Sequence, residues 1–197
     1  MSSTRILSQL NRRLRWRPTW YELRFWPLTI LSWIPAAIFF NDHVGDIACI
    51  NGPSMYPFLN PSFNEDLSRD FCWNNKLNPT KNLKRGMIIS YQSPSHPEVQ
   101  VVKRIIAMEG DIVYTRAPCP VPTVQVPPNH VWVEGDNRDS TKTIDSNTYG
   151  PIPLNLITGT ATHIIWPWRR RGPIRWEDFE GRTRVIKGRE DDAPGWD

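Results

Sequence analysis

The sequence predicts a predominantly β domain that follows a single N-terminal membrane helix. Three observations support this prediction. The apolar runs beyond residue 45 are short, turn residues separate them, and the 19 prolines disfavour long helices. Among the apolar runs, only the uncharged segment from Phe25 to Phe40 is long enough for a hydrophobic helix. The architecture expected after it is a β-barrel or a pair of packed sheets.

Residues 1–24 have the composition of a mitochondrial targeting segment. They contain six arginines and several serines, and the first acidic residue is Glu22. The next sixteen residues carry no charge and, as a helix, would span roughly 24 Å, a little less than the ~30 Å hydrocarbon core. We therefore expect a membrane anchor at 25–41, with a buried core helix as the alternative.

The charges around this anchor predict its orientation. The arginines precede it, whereas Asp42 and Asp46 follow it. The positive-inside tendency then places residues 41–197 on the opposite side of the membrane from the N-terminus. In a mitochondrion, this is a single-pass inner-membrane protein whose domain faces the intermembrane space.

Seven segments of the remaining chain have the length and the β-branched content of strands. Turn signals such as Gly110-Asp111 and Pro127-Pro128-Asn129 separate them. Residues 60–85 are rich in asparagine and are expected to form an insertion or a loop. The predicted strands are 46–50, 87–91, 99–108, 111–116, 123–126, 130–135 and 159–166.

The last stretch, 169–197, is predicted to be a polar, disordered tail, because charged residues dominate it and apolar residues are few.

The net charge and the cysteine content argue against some partners and sites but assign none. A net charge of +4 does not by itself require a nucleic-acid partner. The three cysteines are widely spaced without a CxxC pair, so neither a zinc site nor a disulfide framework is expected.

Ser54, in the segment NGPSMYPFLN (51–60), is the first candidate for chemistry. The segment is too broken by glycine and proline for a helix and too apolar for an ordinary surface loop. A serine hydroxyl becomes a good nucleophile only when a base takes its proton. None of the four histidines lies in a triad-like sequence context, so the base must be sought elsewhere.

Lys103 is the candidate base. In VQVVKRIIAM (99–108), strand alternation places Lys103 among β-branched residues on one face and Arg104 on the other. If the Lys103 face is inward, desolvation lowers its pKa and makes it a plausible base. In the alternative, Arg104 points inward to an acid and Lys103 is solvated. Alternation alone leaves both arrangements open.

Four segments resemble, in order, the sequence boxes of the type I signal peptidases, which are membrane-anchored Ser/Lys peptidases. The segments are GPSMYP (52–57), RGMIISYQSP (85–94), VVKRIIAMEGD (101–111) and the GDN…DSNTYGPI run (135–152). A lone SMxP is a weak signal, whereas four boxes in order behind an anchor are highly specific. The resemblance implies a signal-peptidase-like β-barrel or sheet catalytic domain over 42–168, with no metal or cofactor.

The resemblance also implies roles for individual residues. Ser54 matches the nucleophile and Lys103 the general base, and the backbone N–H of Ser54 would contribute to the oxyanion hole. Met55 and Pro57 match residues that hold the nucleophile turn, and residues 135–137 match a turn near the active site. The matches that support the catalytic region are Thr143, Asp145 and Ser146.

Three departures from the family pattern leave details open. The stretch before Asp145 is slightly longer than is common, so Ser140 and Thr143 compete for the role of the hydroxyl that orients the lysine. Gly52 stands where some members place a second oxyanion donor. Asn147 replaces the arginine that is usual in bacterial members, which suits a mitochondrial branch of the family.

That branch implies a serine endopeptidase that removes sorting peptides from precursor proteins delivered to the intermembrane space. It also implies a hetero-oligomer with a sister protease subunit. The alternative is a non-catalytic anchored subunit that stabilises substrates or presents them to a catalytic partner. The intact pair of Ser54 and Lys103 favours the enzyme.

Overall fold

The computed structural model describes residues 20–63, 69–177 and 181–188. The chain divides into two compact units, Met1–Phe40 and Asn41–Asp197. Most of the predicted targeting segment, residues 1–19, lies outside the described residues.

Helix α1 runs from Trp20 to His43 and contains Pro27 and Pro35. Its large apolar side chains between residues 25 and 40 are exposed, with Trp33 at 69%. The anchor predicted at 25–41 falls within this helix. Over the three described ranges, no helix combines the length and the hydropathy that a membrane crossing requires.

Within the described residues, eleven strands form two antiparallel sheets, which confirms the prediction of a predominantly β domain. The large sheet has the order β1-β2-β9-β3-β4-β7-β8, with β10 paired to β9, and the small sheet has the order β11-β5-β6. The strands are β1 (Gly45–Cys49), β2 (Phe71–Asn75), β3 (Ile88–Gln92), β4 (Gln100–Ala107), β5 (Ile112–Tyr114), β6 (Thr123–Gln125), β7 (His130–Glu134), β8 (Ile152–Pro153), β9 (Ile157–Trp166), β10 (Gly172–Pro173) and β11 (Val185–Ile186).

Strand β2 corrects one expectation, because it lies in the stretch 60–85 that the sequence predicts to be a loop. It pairs with β1 on one side and β9 on the other. Its Asn74 is fully buried, donates to Asp46 Oδ1 at 2.9 Å and accepts from Ser90 Oγ at 2.7 Å. Buried polar groups are stable when they are hydrogen-bonded. The asparagine-rich composition of 60–85 thus predicted a loop wrongly, because the hydrogen-bond partners of Asn74 lie on strands that are distant in sequence.

The tail predicted to be disordered is also corrected. Strand β10 pairs with β9, and β11 pairs with β5, so residues 169–177 and 181–188 belong to the β domain. Ile174 is buried in the core, and Arg170 forms an ion pair with Asp70. These partners are distant in sequence, so composition could not reveal them. Residues 178–180 and 189–197 lie outside the described residues.

Strand β4 lies inside the large sheet, between β3 and β7, and is covered on both faces. One face carries Val101 and Ile105, which pack into one apolar cluster. The other carries Val102, which packs against a second cluster that includes Ile88 and Met55. Any charged residue at the centre of β4 is therefore buried, whichever face it occupies.

Candidate active site

Ser54 lies half-buried in a compact turn, which we call the nucleophile turn (residues 51–60). The amide of Tyr56 donates to Pro53 O at 3.0 Å, and the amide of Leu59 donates to Met55 O at 2.8 Å. Gly52 has φ +87°, a conformation that favours glycine. Met55 is 1% exposed and fixes the turn to the core. The backbone around Ser54 is thus held in one conformation.

A second turn, Gly135–Asn137, lies directly against the nucleophile turn. Asn137 donates from its backbone N to Ser54 O at 3.0 Å and from Nδ2 to Pro53 O at 2.7 Å. A Cβ at Gly135 would lie 2.5 Å from Ser54 O and 2.3 Å from Thr143 Oγ1. Only glycine allows this approach, so the glycine of the sequence run GDN lets Ser54 O and Thr143 Oγ1 both come close to the place that a side chain would occupy.

The carboxylate of Asp145 joins this turn to the segment that follows it. Its Oδ2 accepts from Gly135 N at 3.1 Å and from Thr143 Oγ1 at 3.1 Å. Its Oδ1 accepts from Asn147 N at 3.0 Å and so caps the short helix α2 (Ser146–Tyr149). Asp145 thereby fixes the position of the Thr143 hydroxyl.

The two hydroxyls left as alternatives by the sequence occupy different surroundings. Thr143 is part-buried, bonded to Asp145 and close to Gly135. Ser140 is exposed and begins a 3-10 turn, Ser140–Lys142. Of the two hydroxyls, Thr143 is thus the one that contacts Asp145 and the Gly135 turn.

Lys103 is buried on β4, opposite Ile89 of β3, with 2% of its surface exposed. Burial lowers the pKa of Lys103 to about 8, while the negative charges of Asp145 and Asp136 act in the opposite direction. The structure thus brings Lys103 near the carboxylates that hold the Gly135 turn. Among the described residues, neither Ser54 Oγ nor Lys103 Nζ forms a hydrogen bond.

The neighbouring Arg104 is also buried, on the other face of β4. It points inward to an acid, as in the second arrangement, but Lys103 is buried rather than solvated, as in the first. It donates to the two carboxylate oxygens of Asp136 at 2.9 and 2.6 Å and to Gly86 O at 2.7 Å. Its guanidinium lies 4.4 Å from the ring centroid of Phe58 in the nucleophile turn. Arg104 therefore anchors Asp136, the middle residue of the Gly135–Asn137 turn, to β4.

Ser146 and Asn147 connect α2 to the adjacent strand. Ser146 Oγ accepts from Val133 N at 3.0 Å on β7. Asn147 Nδ2 donates to Glu134 Oε1 at 3.1 Å, and its Oδ1 accepts from Arg116 N at 2.8 Å. The side-chain amide of Asn147 thus links the end of β7 to the backbone of Arg116.

A cleft of about 200 Å³ opens beside Thr143 and Asp145. Its wall includes Asn137, which binds the nucleophile turn, and the cationic side chains of Arg116 and Arg138. Asn137 therefore links this cleft to the nucleophile turn.

Sequence reasoning missed Arg182, which donates to Gly135 O at 3.1 Å and to Asn137 O at 2.9 Å. It lies in the stretch predicted to be disordered, and no local pattern distinguishes it from the other arginines there.

Comparison with known proteins gives the class to which this fold and site belong. Residues 23–119 match the family described as signal peptidase, peptidase S26. The chain belongs to this family, and curated relatives share its sequence over most of its length.

The individual relatives are mitochondrial. Mitochondrial inner membrane protease subunit 2 of Schizosaccharomyces pombe is 39% identical over 164 residues, covering 81% of this chain and 86% of that protein. Subunit 2 of Saccharomyces cerevisiae is 39% identical, covering 76% and 81%. Subunit 1 of Mus musculus is 38% identical, covering 68% and 77%. The predicted resemblance to the mitochondrial branch is confirmed.

Proposed function

We propose that this chain is a membrane-anchored serine endopeptidase in which Ser54 is the nucleophile and Lys103 the general base. One observation carries the proposal: Lys103 is buried, with a pKa lowered to about 8, and is close enough to Asp145 and Asp136 to feel their charges. A lysine in this state has an appreciable neutral fraction near physiological pH and can accept a proton. Membership of the signal peptidase family supports a peptidase.

The proposed reaction begins with proton transfer from Ser54 Oγ to the neutral Lys103 amine. Oγ then bonds to the carbonyl carbon of the scissile peptide, and the backbone N–H of Ser54 stabilises the oxyanion. The Lys103 ammonium returns the proton to the leaving amine as the C–N bond breaks, which leaves an acyl-enzyme. Lys103 next takes a proton from water, and the hydroxide bonds to the acyl carbon. The C–Oγ bond then breaks and the Lys103 ammonium returns the proton to Oγ, which releases the carboxylic acid product and regenerates Ser54.

The surrounding residues would position these two groups. Thr143, held by Asp145, would orient the Lys103 amine, and Met55 would keep the nucleophile turn packed to the core. The substrate would reach Ser54 through the cleft beside Thr143 and Asn137. Gly52 has no side chain to act as a second oxyanion donor.

Helix α1 would provide the anchor, since its apolar side chains from Phe25 to Phe40 are exposed. We propose a single-pass arrangement in the mitochondrial inner membrane, with the catalytic domain in the intermembrane space. The names of the relatives support this location. Relatives named as subunit 1 and as subunit 2 support assembly with a sister subunit. The substrates would be precursors with intermembrane-space sorting peptides.

The test replaces Ser54 with alanine in the full-length, assembled protein. Ser54→Ala should abolish processing of dependent precursors, because no other group can form the acyl-enzyme. The matched control is Ser95→Ala, since Ser95 is an exposed serine in the loop between β3 and β4. Precursor and product are separated on gels after import into mitochondria that lack the native protein.

Full processing by Ser54→Ala would contradict the proposal. A serine-acylating probe distinguishes the remaining alternative, a non-catalytic subunit. Labelling of the wild-type chain that is lost in Ser54→Ala supports the enzyme. A folded, assembled wild-type chain that is not labelled supports a subunit that only presents substrates.

A further inference from the structure

The C-terminal segment (residues 169–177 and 181–188) contacts both turns of the candidate site. From its geometry we propose that Arg182 is a positioning residue, which fixes the turn Gly135–Asn137 and thereby holds Ser54 in place for proton transfer. The expected effect of Arg182 on catalysis rests on the proposed function. The bracing contact itself can be tested without that function.

Arg182 contacts the Gly135 turn through two of its backbone carbonyls. Its Nη2 donates to Gly135 O at 3.1 Å and to Asn137 O at 2.9 Å. The amide of the same Gly135 donates to Asp145, and that of Asn137 donates to Ser54 O. Each of these two turn residues is thus bonded through both its N–H and its C=O. If the Arg182 contact were lost, the turn could move, and Ser54 would move with it because Asn137 N donates to Ser54 O.

The segment that carries Arg182 is itself firmly attached. Thr183 is buried and donates from Oγ1 to Glu134 Oε2 at 2.7 Å, on the strand that leads into the Gly135 turn. The amide of Tyr114 donates to Arg184 O at 3.0 Å, and Gly188 N donates to Asp111 Oδ1 at 2.8 Å. The chain that directly follows Arg182, from Thr183 to Gly188, is therefore fixed to the β domain, and a fixed backbone is what a positioning residue requires.

The surroundings of Arg182 are electrostatically costly. Burial lowers its pKa, and so does the nearby positive charge of Arg116, while Glu134 and Asp136 partly compensate. Arg182 is largely exposed, yet its guanidinium stays on the turn instead of extending into water. The hydrogen bonds to Gly135 O and Asn137 O account for this position of the guanidinium.

A second arginine of the segment contacts the far end of the nucleophile turn. Arg170 donates to Phe58 O at 2.6 Å and pairs with Asp70. Asp70 Oδ2 in turn accepts from the amide of Asn60 at 2.8 Å. The C-terminal segment therefore reaches both turns independently, which supports a role in the site rather than in one local contact.

The experiment compares three variants of the full-length, assembled protein. Arg182→Met removes the donors and keeps the length, and Arg182→Lys restores one cationic donor. Arg184→Met is the matched control, since Arg184 lies two residues away and stacks on Tyr114 without touching the turns. Displacement of a reacting group by about 1 Å costs up to roughly 100-fold in rate.

We expect Arg182→Met to lower kcat about 10- to 100-fold, with KM within about twofold of wild type. Arg182→Lys should recover part of kcat, and Arg184→Met should retain it. Hydrogen exchange of the Asn137 amide should accelerate in Arg182→Met and remain unchanged in Arg184→Met. The melting temperature is measured for each variant to separate positioning from unfolding.

Two results would overturn the inference. One is a wild-type kcat and Asn137 exchange rate in Arg182→Met. The other is an equal loss of kcat in Arg182→Met and Arg184→Met that follows their loss of melting temperature. If wild type shows no Ser54-dependent activity, the proposed function fails, whereas the exchange measurement still decides whether Arg182 braces the turn.

Discussion

The two faces of strand β4 give a buried cation opposite surroundings. Lys103 on one face lies among apolar residues, and burial lowers its pKa. On the other face, Arg104 has a bidentate carboxylate partner in Asp136, a backbone carbonyl and an aromatic ring. Adjacent positions of one strand therefore hold one cation that is easy to neutralise and one that is fully paired.

The difference shows how one strand can serve both chemistry and architecture. A general base must lose its proton near neutral pH, so it needs burial without a tight ion pair. A structural cation must keep its proton, and the guanidinium does so in any such setting. Lys103 and Arg104 therefore should not be interchangeable, and four predictions separate them.

The largest effect is expected on the Lys103 face. Lys103→Met should lower the processing rate by about 10²- to 10⁴-fold, because it removes the proposed base while keeping the side-chain volume. The same change should raise the melting temperature, since it removes a cation that is costly to bury. Loss of both activity and stability would show that Lys103 supports the fold instead.

The pH dependence of that stability gain gives a further check. The unfolded chain binds the Lys103 proton up to its ordinary pKa of 10.5, whereas the folded chain releases it near 8. Between these values the stability of the wild type rises with pH, because the unfolded state binds more protons. The advantage of Lys103→Met should therefore be largest below pH 8 and should shrink toward pH 10.

The Arg104 face should respond in stability first. Arg104→Met leaves Asp136 buried without its partner, and the loss of one member of a buried pair costs about 3–5 kcal/mol. Urea unfolding of the domain within the intact protein would measure this loss. Arg104→Lys should retain some activity because it keeps a charge opposite Asp136. Inactivity of a fully stable Arg104→Lys variant would mean that Arg104 acts in catalysis.

A smaller effect is expected in the pH profile of processing. Below the pKa of Lys103 the neutral fraction falls, so kcat/KM should rise about tenfold per pH unit and level off near pH 8. Arg104→Lys should keep this inflection, because it leaves Lys103 unchanged on the other face of β4. A flat wild-type profile from pH 6 to pH 8 would contradict the proposed base.

Much of the site could be predicted because its residues lie in short, ordered segments. The resemblance of those segments groups Ser54, Lys103 and the Gly135 run. In the structure Asn137 contacts Ser54, and Lys103 lies near Asp145 and Asp136, while the pairing of Ser54 with Lys103 stays a prediction. The Ser140 and Thr143 alternative could not be decided in this way. It depends on which hydroxyl meets Asp145, and that contact is set by a turn rather than by spacing.

The sequence by itself determined the β character of the domain, the family and the two candidate residues, because local pattern and motif order specify them. Tertiary structure alone decided that both faces of β4 are buried, since that requires packing from distant strands. It also decided that Asn74 lies in a strand and that the charged C-terminal segment joins the domain. Arg182 shows the reason: its partners are backbone carbonyls some 45 residues away, and no side-chain pattern records them.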